Sequence, residues 1–237
     1  MKKILFLLLT MTATFLSHPA AAAELNTLTP EEKAAGWKLL FDGKSTDGWR
    51  TFKKTTFPAK GWVVEDGVLR HPARAGGGDI ISDAAFDNFD LQWEWKMSTG
   101  GNSGVKYFIT EERAQALGHE YQLIDDANHP DAKLAAGKRV TAGFYDVFAP
   151  KETKLKPVGE WNQSRVLVKG NHVEHWLNGA KVLEYELSSD EVKAAVAASK
   201  FKGVKDFGTR LKGHILLQDH GDEVSFRNLK ILDLSGK

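Results

Sequence analysis

Apolar and polar residues alternate along this chain in short, strand-like stretches. From Phe89 to Met97 the exchange is residue by residue, as in a strand with one face buried and one exposed. Trp62-Val63-Val64-Glu65 runs through the turn dipeptide Asp66-Gly67 into Val68-Leu69-Arg70, the pattern of a hairpin. Trp37 to Phe41 ends at a second turn dipeptide, Asp42-Gly43, and Asn178-Gly179 joins two further apolar runs. Additional strands are predicted over 104–110, 120–125, 142–148, 164–169, 172–177, 181–186, 213–219 and 223–233. They lie too close together for helical crossovers. The prediction is an all-β, two-sheet antiparallel jelly-roll sandwich.

Few helices interrupt this pattern. Thr29-Pro30-Glu31-Glu32 has the residues of a capping box with proline in the first turn, and Gly36 closes the short helix. Helices are also predicted over 111–117 and over 189–199, the latter with Ser188 and Glu191 as its capping box, and a helical turn within the loop 127–139. No internal repeat or low-complexity linker divides the chain.

The first 23 residues read differently. Lys2 and Lys3 precede an apolar run from Ile4 to Leu9, and the small residues Ala20 to Ala23 follow. This is the order of an export leader cleaved near Ala23, and it falls short of the roughly 20 apolar residues of a spanning helix. The expectation is residues 1–23 as signal peptide and 24–237 as one domain, periplasmic or secreted, with no integral membrane segment after cleavage. The chain has no cysteine, so disulfides, thiolate metal sites and a cysteine nucleophile are excluded. Its net charge is +1, which falls by two to −1 without Lys2 and Lys3. That is no footprint for nucleic acid or anionic lipid. Seven Trp and thirteen Phe beside twenty-two Gly suit strands and tight turns.

Strand parity locates the candidate chemistry. Val105, Tyr107 and Ile109 share one face of their strand, opposite Asn102, Lys106 and Phe108. Tyr121 and Leu123 lie opposite Glu120, Gln122 and Ile124; Ile215 and Leu217 lie opposite His214, Leu216, Gln218 and His220. If these strands are neighbours, Asn102, Lys106, Glu120, Gln122, Gln218 and His220 converge on one polar surface, suited to saccharide hydroxyls. Trp49, Tyr145, Trp161 and Trp176 are the candidate aromatic platforms, each with a competing place in the core. Other chemistries are disfavoured. Gly101-Asn102-Ser103-Gly104 is not a nucleophile elbow, and His119-Glu120 lacks the second histidine of a zinc helix. His172 and His175 fall on opposite faces of a strand. Asp125, Asp126, Asn128 and Asp131 offer oxygens to calcium, but a solvated acidic loop explains them better.

These motifs together resemble a known family. Gly36-Trp37-Lys38-Leu39-Leu40-Phe41-Asp42-Gly43, Gly101-Asn102-Ser103-Gly104-Val105, Glu120-Tyr121-Gln122-Leu123-Ile124-Asp125, Gly159-Glu160-Trp161-Asn162, Val173 to Gly179, Leu217-Gln218-Asp219-His220-Gly221 and Val224 to Leu229 follow the order of the 3-keto-disaccharide hydrolase domain family. The resemblance spans nearly all of 36–233. It implies a concanavalin A-like lectin/glucanase sandwich acting on a small saccharide or glycoside whose sugar is oxidised to a 3-ketone. The paired carboxylates of related glucanases are missing, which speaks against direct two-carboxylate hydrolysis. A 3-ketone acidifies the C2 hydrogen instead, so a base can start β-elimination of the C1 oxygen, with water adding afterwards. Glu120 and His220 are the candidate catalytic acid and base. Lys106, Gln122 and Gln218 are the candidate oxyanion partners, with a divalent metal as the alternative, and Asn102, Tyr145 and Trp161 the further substrate contacts. The competing reading is a lectin-like module without catalysis.

Overall fold

The computed structural model describes residues 24–236. The predicted leader, 1–23, lies outside them. Thirteen strands form two sheets, and the strand pairings among the described residues are antiparallel. The strands are β1 (Trp37–Leu39), β2 (Trp49–Thr51), β3 (Val63–Glu65), β4 (Val68–His71), β5 (Ile80–Phe86), β6 (Phe89–Met97), β7 (Asn102–Ile109), β8 (His119–Ile124), β9 (Asn162–Lys169), β10 (His172–Leu177), β11 (Ala180–Glu186), β12 (Gly213–Leu217) and β13 (Val224–Asp233). One sheet runs β11-β10-β9-β6-β13-β4-β3, with β1 also on β13; the other runs β2-β5-β12-β7-β8. The predicted two-sheet sandwich is the observed fold.

The core lies between the sheets. Phe89, Leu91, Trp93 and Trp95 from β6 meet Val105, Tyr107, Tyr121, Leu123, Ile215 and Leu217 from the smaller sheet. Each fully buried side chain of this size stabilises by about 1.5–3 kcal/mol. A polar chain crosses this core. Tyr185 donates to the Tyr107 hydroxyl (2.5 Å), Tyr107 donates to Nε2 of His175 (2.9 Å), and Nδ1–H of His175 donates to the Ala142 carbonyl (2.9 Å). The direction follows from the carbonyl, which only accepts. Every link is satisfied, as burial requires.

Several expectations need correction. Residues 111–117 form turns and bends rather than a helix. Arg113 there reaches outward to the carbonyls of Leu117 and Lys205. Residues 142–148 are a turn, not a strand, because Ala142 and Asp146 take positive φ (66° and 64°). The turn is nevertheless tied to β8: Ala142 N–H donates to Gln122 O, Gln122 N–H to Gly143 O, and Tyr145 N–H to Glu120 O. The helix after β11, α2 (Asp190–Ala197), is capped by Ser189, whose side chain accepts from Val192 N–H, not by Ser188. The first helix, α1 (Pro30–Ala35), has the predicted Thr29–Glu32 capping box. Strands β2 and β5 carry no alternation and have no counterpart among the predicted strands.

Parity also fails once. Phe108 adopts φ 61°, and the pairing of β12 with β7 slips there. The bulge turns Phe108 into the main core and sends Ile109 to the other face, where it packs with Ile81 and Leu216. Gly213 faces the bulge. A Cβ on it would lie 2.6 Å from the Phe108 carbonyl carbon, so only glycine lets β12 approach.

Candidate active site

The outer face of the five-stranded sheet carries a cleft. Asn102 and Lys106 of β7, Glu120 and Gln122 of β8, and Gln218 and His220 beyond β12 all line it. The parity argument therefore holds on the residues before the bulge. Lys106 and Glu120 are direct cross-strand partners, as are Gly104 and Gln122. Lys106 Nζ lies 3.7 Å from Glu120 Oε2, with both side chains largely buried.

Gln122 serves the other Glu120 oxygen. With its amide nitrogen toward Glu120, it donates to Glu120 Oε1 (3.0 Å) and to the Ser103 carbonyl (3.3 Å), with its oxygen 3.1 Å from the Asn102 amide. In the opposite orientation its nitrogen meets only Asn102 Oδ1 at 3.1 Å. The first orientation gives both acceptors a partner and is the better network, with the Asn102 amide turned to match. Burial pushes the Glu120 carboxyl above the usual glutamate range, while Lys106 and Lys200 pull it back. Asp79, itself raised by burial, adds a nearby negative charge that works in the same direction as burial. A buried carboxyl so perturbed in a cleft is a candidate for proton transfer.

The cleft contains residues that strand parity did not find. Leu117 and Gly118 precede β8, and Lys200 and Phe201 follow α2. Lys200 is exposed as a residue, yet its ammonium lies 4.1 Å from the centroid of the Tyr145 ring. Its backbone N–H donates to Asp146 Oδ2 (2.7 Å). Asp146 Oδ1 accepts from Arg139 Nε (2.6 Å), and Arg139 also holds Asp131 (2.6 Å). Asp131 in turn accepts the Tyr145 hydroxyl (2.7 Å). This network fixes the cleft rim. It also commits the proton of the Tyr145 hydroxyl to Asp131, while the ring is a seat for Lys200.

The tryptophans lie elsewhere. Trp161 is corrected as a cleft residue: Arg227 sits 4.0 Å and Lys96 5.1 Å from its ring, and both belong to strands of the larger sheet. Trp176 lies against Arg165 of that same sheet and donates to Glu174. Trp49 is core, with Nε1 donating to Leu40 O (2.6 Å). Tyr145 and Phe201 are the aromatic residues of the cleft lining.

Metal-type ligands gather at two places among the described residues. His129, His220 and Asp222 bring ligand atoms within 4.8 Å of one another at the cleft rim. Nδ1 of His129 already accepts from Asp131 N–H (3.1 Å), so that nitrogen is engaged within the chain. His172, Glu174 and Glu184 form the second group, where Lys181 already bridges the two carboxylates. As parity required, His172 faces outward and His175 inward. Asp125 is no free ligand: it accepts from Gly100, Ala127 and Asn128, and so caps its own turn.

Known proteins share this sequence and fold. Residues 36–232 match the model of the 3-keto-alpha-glucoside-1,2-lyase-like domain. A 3-keto-disaccharide hydrolase of Bacteroides thetaiotaomicron is 36% identical over 245 residues, covering 91% of this chain and 84% of that protein. A Parabacteroides distasonis protein described as a glycosyl hydrolase superposes with a TM-score of 0.81 at 38% identity, over 89% of this chain and all of that one. A second protein so described from the same organism gives 0.65 at 28% identity, over 84% and 99%.

Proposed function

Because the chain belongs to the 3-keto-alpha-glucoside-1,2-lyase-like domain family, we propose that its cleft cleaves the glycosidic bond of 3-keto-glycosides outside the cytoplasm. A hydrolase acting on carbohydrate is what the 36%-identical relative supports. The leader pattern of residues 1–23 supports export.

The observation that carries the mechanism is a buried carboxylate, Glu120, held between a cation and an amide in an open cleft. Glu120 takes the proton from C2 of the keto sugar. The electron pair moves into an enolate whose oxygen was the C3 ketone, and Lys106 or Lys200 faces that charge. The enolate re-forms the ketone as the C1–O bond breaks, and the leaving oxygen takes a proton from His220. Water then adds across C1=C2: its oxygen bonds to C1 as His220 takes back a proton from it, and Glu120 returns its proton to C2. The net reaction consumes one water and yields the 3-keto sugar and the free aglycone. Preorganised charge beside a developing oxyanion is usually the largest catalytic contribution.

The test is incubation of the purified protein with a 3-keto-glucoside and with its unoxidised parent, each with and without chelator. Release of sugar from the keto form alone supports the proposal, and the chelator arm reports whether a cation takes part. Binding without turnover would favour a lectin instead.

A further inference from the structure

The loop that carries Gln218 and His220 into the cleft has a residue between them that points the other way. Asp219 is largely buried behind the site, its side chain 9% exposed. Its Oδ2 accepts from Gly78 N–H (2.9 Å) and lies 3.2 Å from Nε2 of His71. Its Oδ1 accepts from Gly221 N–H (2.9 Å), and its own N–H donates to Asp79 Oδ1 (2.9 Å). The preceding residue is pinned too: Gln218 N–H donates to Gly104 O (3.0 Å), and the Ser103 hydroxyl donates to Gln218 O (2.9 Å).

His71 reaches this loop from the other sheet. It lies on β4, has no solvent exposure, and packs edge-on against Trp62 (5.0 Å between centroids). Trp62 Nε1 donates to Gly78 O, which fixes the peptide whose neighbouring N–H serves Asp219. Nε2 of His71 faces two oxygens, Gly76 O at 2.9 Å and Asp219 Oδ2 at 3.2 Å. It therefore carries the proton. Nδ1 is buried without a partner. Asp219 is held by three converging N–H groups, those of Gly78, Gly221 and His71.

We infer that Asp219, clamped by His71 across the two sheets, is the positioning residue of the cleft, setting Gln218 and His220 toward the substrate without touching it. This rests on the cleft being the reaction site proposed above. A displaced group of about 1 Å can cost up to about 10²-fold in rate. Loosening this clamp therefore lowers kcat more than it changes KM.

Three variants test it: Asp219→Asn, His71→Leu and His71→Gln. Each is measured for kcat and KM on a 3-keto-glucoside, for Tm, and for the ring resonances of His220 by NMR. Asp219→Asn turns an amide toward the donors that met a carboxylate, and His71→Leu removes the N–H. Both are expected to lower kcat by roughly ten- to a hundredfold and to shift the His220 resonances. His71→Gln puts an amide N–H near the place of Nε2 and is expected to restore both. Wild-type kcat and an unmoved His220 in Asp219→Asn and His71→Leu would overturn the inference, even if Tm falls. If Asp219→Asn does not fold, the Leu and Gln variants at His71 decide by the same readouts. If the wild-type protein turns over no 3-keto-glycoside, the reaction is wrong, and the His220 resonances alone decide the clamp.

Discussion

A methyl group on Gly104 would sit 2.4 Å from Oε1 of Glu120. The glutamate lies flat across the backbone of the neighbouring strand, in space that any side chain at 104 would fill. Gly104 has no positive φ, so alanine suits its backbone, and the nearest atoms it would meet are those of the Glu120 side chain. Gly104→Ala is expected to fold and to lose about ten- to a hundredfold in kcat. Steady-state kinetics with a keto-glycoside decide this. Unchanged kcat would mean that Glu120 is not held where the reaction needs it.

Removing the carboxyl proposed as proton acceptor is expected to have a larger effect. Glu120→Gln keeps the shape and is expected to lower turnover by about 10²–10⁴-fold while the protein stays folded. A loss in affinity with turnover at saturation intact would make Glu120 a binding residue only.

The acid limb of the pH–rate profile is the next test. A base must be ionised, so activity falls as pH drops through the Glu120 pKa. Lys200 lowers that pKa and Asp79 raises it. Lys200→Met is therefore expected to move the limb to higher pH and Asp79→Asn to lower pH. Shifts in the same direction, or none, would remove Glu120 as the titrating group.

Stability should depend on pH through the core. His175 and His119 are fully buried, and burial lowers their pKa values to about 4 and about 3. Both stay neutral in the fold, while the unfolded chain takes up protons below about 6.5. Above that pH neither ring favours either state. As pH falls from about 6.5 toward 4 the unfolded state gains, and stability drops by up to about 1.4 kcal/mol per pH unit for each ring. Thermal melts at stepped pH should show Tm declining across this window. A flat Tm would contradict it.

Trp161 offers a negative control. Its ring contacts belong to the outer face of the larger sheet. Trp161→Ala is expected to leave kcat and KM for the keto-glycoside unchanged. A raised KM would place substrate on that sheet.

Much of this architecture is legible in the sequence because half-buried strands alternate. Glu120 and Gln122, set against Tyr121 and Leu123, mark out the cleft wall by alternation alone. Strand β5 is silent for a physical reason: Ile80 and Ile81 are buried in different clusters on its two faces, so neighbours are both apolar. The run Thr141 to Phe148 has the composition of a strand, but two positive φ angles fold it into a turn. Phe108 inverts parity for Ile109 with no glycine to announce it. Lys200 meets Glu120 and Tyr145 only through the return from α2, a juxtaposition that no local spacing encodes. The tryptophans illustrate the same limit. Composition says that aromatics are present, whereas only the sheet order says which face each one covers.

The turn that follows β8 has one more effect. β8 is the last strand of its sheet, and a terminal strand offers a row of free amides to which a second polypeptide can add. Here the Ala142 and Tyr145 N–H groups donate to the carbonyls of Gln122 and Glu120, the Gly143 carbonyl accepts the Gln122 N–H, and the Thr141 hydroxyl takes both the N–H and the carbonyl of Ile124. The hydrogen-bonding capacity along the border of the strand bearing Glu120 is thus largely met within the chain, which leaves a second polypeptide few backbone groups to pair with there.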